Sequence, residues 1–193
     1  MLQKIPAGLG RALQNMRHGP DELASGVPAF ENVPEVIGLT SPAFATDGGM
    51  PARFTDDGEG ISPPLEWVGV PPEAEALVLM IEDMDSPTPK PLVHAILADL
   101  PPRDGGLPEG ALPGSDHVHE NETLGMGRNS FLRRAYLPPD PPRGHGPHRY
   151  AFQLFALDSV PEFRAVPGRR ALLEALEGHV IARGLLIGTY ERR

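Results

Sequence analysis

Two carboxylates, two imidazoles and a phenol stand at the ends of apolar runs in this chain. Asp83 and Asp85 follow the run Ala76 to Glu82, His94 lies near the start of the run Leu92 to Asp99, and His148 and Tyr150 open the run that ends at Leu157. Imidazoles and phenols donate hydrogen bonds to phosphate or carboxylate oxygens. A carboxylate accepts a proton from an imidazole, fixes its tautomer, or receives an ammonium group. Brought to one rim, these groups form a pocket with an oily floor and a few convergent polar atoms, the usual form of a small-ligand site. Each also has a plainer reading, since an Asp at a strand end commonly serves a turn and a lone histidine is commonly a satisfied structural group.

The elements that must position them are strands. The runs ALVLMIE (76–82), LVHAILAD (92–99) and YAFQLFAL (150–157) are apolar on both faces and seven or eight residues long, as strands covered on two sides must be. Alternation puts Leu77, Leu79, Ile81 and Asp83 on one face, Leu92, His94, Ile96 and Ala98 on another, and His148, Tyr150, Phe152 and Leu154 on a third. Shorter apolar runs at Val36 to Leu39, Leu65 to Val68 and Leu185 to Tyr190 read as further strands. Residues 100–147 are dominated by Pro, Gly and polar side chains, a length of loop that in a compact domain is usually functional.

Helices flank this β region. Ile5, Leu9, Leu13 and Met16 recur near every fourth position, which predicts a short amphipathic N-terminal helix. Its stripe must pack on its own domain or on a second copy of the chain in a homodimer. A second helix is predicted from Arg169 to Arg183, with Leu172, Leu173, Leu176, Val180 and Ile181 as its core stripe and Gly184 as its stop. The expectation is a mainly β fold with attached helices: an extension over residues 1–24 and one domain over 25–193.

The bulk composition restricts the partners. With 26 acidic residues against 17 Lys and Arg, a net charge of -9 repels nucleic-acid backbones and anionic membrane faces. No run of 18 apolar residues is present and the N-terminus lacks a signal-peptide core, so a cytoplasmic protein without a membrane span is expected. The chain has no cysteine, which removes disulfides, thiolate nucleophiles and Cys-based zinc sites. His117, His119, His145 and His148 invite a zinc reading, but their spacing matches no helix-borne metal motif. No cofactor fingerprint occurs, neither a P-loop nor G-x-G-x-x-G. Ser62 and Ser130 lack a nucleophile elbow.

Four segments in order resemble the phosphatidylethanolamine-binding protein family, its bacterial Raf-kinase-inhibitor-like branch in particular. They are FTDDGEGISPPLEWVGVP (54–71), EDMDSPTPKPLVHAIL (82–97), GRNSF (127–131) and GHGPHRYAFQLFALD (144–158). The resemblance implies a central sheet packed on a smaller one with a C-terminal helix. It implies an anion pocket whose Asp falls on Asp83, its histidines on His94 and His148 and its Tyr on Tyr150, with Asp85 and Pro87 in the accompanying D-x-D-x-P turn. Ser86-Pro87 is a candidate cis bond. A zwitterionic headgroup such as phosphoethanolamine would suit both acidic and donor groups. Met84, Ala95, Asp56 and Asp140 depart from the family's usual Pro, Trp and Cys residues. Three functions follow as expectations: a binding protein for a small anionic or zwitterionic ligand, an inhibitor of a protein kinase or protease acting through the Pro-rich loop, or a weak hydrolase using Asp83 and a histidine.

Overall fold

The computed structural model describes residues 6–114 and 125–192.

The long apolar runs become the spine of the molecule. Strands β4 (Ala76–Asp83), β5 (Leu92–Leu100), β7 (His148–Leu157) and β8 (Val180–Tyr190), with the two-residue β2 (Gly48–Gly49), form one sheet in the order β2-β8-β7-β4-β5. The three long pairings are antiparallel and only β2 runs parallel to β8. A smaller sheet joins β1 (Gly38–Thr40), β3 (Leu65–Val68) and β6 (Gly105–Leu107) in the order β1-β3-β6. Among the described residues two α-helices, α1 (Ala7–Leu13) and α2 (Arg169–Leu176), complete the architecture, so the fold is mainly β with attached helices. No described helix is long and apolar enough to cross a membrane.

Alternation along the central strands divides the apolar side chains between two cores. Leu77, Leu79 and Ile81 of β4 join Tyr150, Phe152 and Leu154 of β7, and Leu39, Leu65 and Trp67 of the smaller sheet close over them. The opposite face carries Val78, Met80, Phe155 and Leu157, covered by Leu172 and Leu176 of α2 and by Ala24 and Phe30. Full burial of each such side chain contributes about 1.5–3 kcal/mol. The second face also buries Glu82 and Gln153 completely. Glu82 accepts from the Ala24 amide (2.7 Å), the Gln153 amide (2.8 Å) and Arg169 Nε (2.6 Å), while Gln153 accepts from the Ser25 amide (2.7 Å). Polar groups otherwise costly to bury thus fasten the chain around residue 24 to the sheet.

Two helical expectations need correction. The C-terminal helix ends at Leu176, not Arg183, because Gly178 takes a φ of +83° and the chain turns back. Val180 and Ile181 belong to β8, where β-branched side chains suit a strand paired along its length with β7. Of the N-terminal stripe, Leu9 and Met16 are 50% and 48% exposed and Leu13 is half-buried, so it forms no packed apolar face; the buried residue of α1 is Gly10, and Ile5 lies outside the described residues. Helix α1 docks on its own domain through backbone contact.

Candidate functional site

Strand register brings the acid, the imidazoles and the phenol together. Asp83 ends β4 between Leu92 on one neighbour and Tyr150 on the other. His148 lies two residues before Tyr150, on the same side of β7. His94 falls at an irregularity of the β4–β5 pairing, where Glu82 opposes Val93 and Ile81 opposes Ala95. Such a bulge re-aims a side chain, and the His94 ring meets the Tyr150 ring edge-on at 5.2 Å between centroids. His94, His148, Tyr150 and Asp83 are all at most 2% exposed.

Asp83 Oδ2 accepts from His148 Nδ1 at 2.7 Å, His148 Nε2 and His145 Nδ1 lie 2.8 Å apart, and His145 Nε2 donates to the Leu13 carbonyl at 2.8 Å. These three hydrogen bonds need three protons, one more than two neutral imidazoles carry. The third is shared along the Asp83–His148–His145 chain, where burial and the neighbouring His148 both lower the proton affinity of His145.

His94 is set differently. Its Nδ1–H donates to the Leu137 carbonyl at 2.6 Å, and Nε2 has no hydrogen-bond partner among the described residues. Burial pushes its pKa down, although Asp83 pulls the other way, so the ring is neutral and presents a lone pair. The Tyr150 hydroxyl also lacks a partner, and burial together with the Asp83 charge raises its pKa well above 10, keeping it a donor. An acceptor and a donor, both buried, thus stand on two touching rings.

A small cavity of about 20 Å³ opens beside them, lined by Asp83, Leu92, His94, Phe131, Leu137, Pro138 and Asp140. That is room for about one water molecule. Asp140 is bonded to Arg192, which also holds Asp57 at 2.8 Å. Burial works against the Arg192 charge, but these carboxylates outweigh it and raise its pKa. Asp140 in the cavity wall therefore carries its own counter-charge.

Asp85 and Pro87 are placed elsewhere. The buried Asp85 carboxylate accepts from the Arg149 backbone and guanidinium at 2.8 Å and pairs with Arg17 at 2.9 Å. Burial would raise its pKa, yet the Arg149 and Arg17 bonds hold it below the usual carboxylate range. Among the described residues no peptide bond is cis, so Ser86–Pro87 is trans. The turn closes instead on side chains: Asp83 Oδ1 accepts the Asp85 N–H at 2.8 Å, and Ser86 Oγ and Thr88 Oγ1 lie 2.7 Å apart.

Of the four histidines in the zinc reading, His117 and His119 lie outside the described residues, while His145 and His148 bond each other. Sequence reasoning did not place His145, Arg17 or Asp140 at the site. His145 had a readable signal, since it stands three residues before His148 between two glycines.

Comparison with known proteins gives a consistent match. Residues 40–191 match the family model described as phosphatidylethanolamine-binding protein. The UPF0098 protein of Methanothermobacter thermautotrophicus is 40% identical over 156 residues, covering 81% of this chain and 99% of the relative. The UPF0098 protein of Chlamydia trachomatis is 38% identical over 158 residues, 80% of this chain and 98% of its own. Among solved structures, a phosphatidylethanolamine-binding protein homologue from Chlamydia trachomatis superimposes with a TM-score of 0.71 at 37% identity, covering 82% of this chain and 99% of that one. YbcL of E. coli, described as a new member of the mammalian family, gives a TM-score of 0.71 at 25% identity over 82% of this chain and 99% of its own.

Proposed function

Because this chain belongs to the phosphatidylethanolamine-binding protein family, we propose that it binds a small phosphate-bearing ligand, free or as a zwitterionic headgroup, at the strand ends that carry Asp83, His94, His148 and Tyr150. The observation that carries the reading is the pair of buried atoms without partners among the described residues, His94 Nε2 and Tyr150 Oη. Leaving such atoms unsatisfied costs about 1–3 kcal/mol each. A phosphate monoanion would satisfy both, its P–OH donating to His94 Nε2 and a charged oxygen accepting from Tyr150. Because the cavity holds about one water, a ligand of phosphate size requires its walls to move.

Tyr150→Phe tests the assignment because it deletes one oxygen and nothing that the protein itself uses. The variant is expected to fold with unchanged or slightly higher stability and to bind inorganic phosphate and phosphoethanolamine at least about tenfold more weakly in calorimetry, the worth of one charge-assisted hydrogen bond. Equal affinities for the two proteins would remove Tyr150 from the site. A loss of stability would mean that its hydroxyl serves the fold.

A further inference from the structure

All four ring nitrogens of His145 and His148 are engaged within the protein: with Asp83, with each other, and with the Leu13 carbonyl. A ligand gains a donor from this pair only if one of those bonds is released. Asp83 and His148 sit on adjacent strands of the central sheet, whereas Leu13 belongs to the N-terminal segment, which reaches the site from outside the residues that match the family.

That segment grips the site's two loops at several points. Arg17 donates to the carbonyls of His145 (2.7 Å) and Pro147 (2.8 Å) and pairs with Asp85 at 2.9 Å. The His18 amide donates to the Met84 carbonyl at 2.8 Å, and the His18 ring bonds the Thr88 carbonyl at 2.8 Å. Helix α1 lies so close to the 143–147 loop that a Cβ on Gly10 would come within 2.2 Å of the Arg143 carbonyl oxygen, and one on Gly144 within 2.8 Å of the Ala7 carbonyl oxygen. The strap thus contacts both the turn after Asp83 and the loop that carries His145.

We propose that residues 7–18 form an autoinhibitory strap in which the Leu13 carbonyl takes the imidazole donor that a phosphate oxygen would otherwise take, so that strap docking and anion binding exclude one another. The proposal rests on the binding function inferred above and adds its regulation. A peptide carbonyl and a phosphoryl oxygen are both acceptors of an imidazole N–H, which makes the strap an internal stand-in for the ligand. Anything that draws the N-terminus away opens the site.

The test uses full-length protein and two variants outside the pocket. Gly10→Ala places a Cβ against the Arg143 carbonyl and unseats the strap while favouring the helix itself. Arg17→Gln removes its charged anchor. Inorganic phosphate is titrated by calorimetry with chloride at equal ionic strength as control, and trypsin cleavage after Arg11, a site kept in the parent and both variants, is followed with and without phosphate. Both variants are expected to bind phosphate about tenfold or more tightly than the parent, the dilution that a mostly closed strap imposes, and to be cleaved rapidly without ligand. Phosphate is expected to accelerate cleavage of the parent. If the variants bind with the parent's affinity while Tyr150→Phe still weakens binding, the pocket stands and the strap is not its competitor. Weaker binding by both variants would make the strap part of the site, and this too overturns the proposal. Absence of phosphate binding in parent and variants alike removes the pocket and the strap's role with it.

Discussion

Acidification should destabilise the protein through His94. The ring is 2% exposed, donates Nδ1–H to Leu137 and carries its Nε2 lone pair with no donor to protonate it cheaply. Its folded pKa lies below the unfolded value of about 6.5, so the unfolded chain binds a proton that the folded chain refuses. Stability is therefore fully present above that value and falls as pH drops from it toward the folded pKa. For a group that stays neutral in the fold, the loss by pH 5.5 is about 1.4 kcal/mol. His145, also shifted down, adds a smaller amount of the same sign. Asp57 and Asp85 are held below the usual carboxylate range and act only at more acid pH. Urea unfolding between pH 7.5 and 5.5 measures the slope, and His94→Asn isolates it: the amide can still donate to Leu137 but cannot ionise. The parent should lose more than the variant over this range, by up to about 1.4 kcal/mol. Saturating phosphate should shrink the difference, because an anion beside His94 favours its imidazolium. Equal slopes for parent and variant, or a parent whose stability rises on acidification, would refute the reasoning.

Two substitutions away from the cavity probe the supports of the site. Asp85→Ala should lower stability by about 2–3 kcal/mol in chemical denaturation, less than a fully buried pair would cost because Arg149 and Arg17 are partly exposed; a loss below about 0.5 kcal/mol would mean that water replaces the carboxylate. Leu132→Gly should raise stability by about 1 kcal/mol, because Leu132 is 75% exposed at a φ of +63° where a leucine is strained and glycine is not. Destabilisation there, seen as a lower urea midpoint, would show that the leucine side chain makes a contact worth more than the strain.

Much of the fold was legible because its long strands are apolar on both faces. Leu65 to Val68 was read with its observed bounds, and the runs at residues 76 and 92 each extend one residue beyond their expected ends. The helix after Pro167 was overextended because Val180 and Ile181 continue a helical stripe as well as they begin a strand; long-range pairing with β7 decides between them. The two-residue β2 and the glycine-rich β6 have too few side chains to leave a pattern. At the site, the side chains that converge could be named from their positions at strand ends, but the bulge that turns His94 toward Tyr150 could not.

The docking of the N-terminal segment on the loops of the site was the least legible feature, and the reason is chemical. Its contacts are made to main-chain oxygens of Leu13, His145, Pro147 and Met84, and to the bare backbone of Gly10. Every residue type supplies the same carbonyl, so no spacing of side chains announces such a contact. What the sequence does carry is the indirect mark of it: an arginine at 17, a glycine at 10 where a helix gains nothing from glycine, and a histidine at 145 between two glycines. With Leu9 and Met16 exposed and Gly10 the buried residue of the helix, α1 is held by these polar latches more than by an apolar seam. Hydrogen bonds of this kind each contribute only about 0.5–1.5 kcal/mol net, small enough for a bound anion to offset.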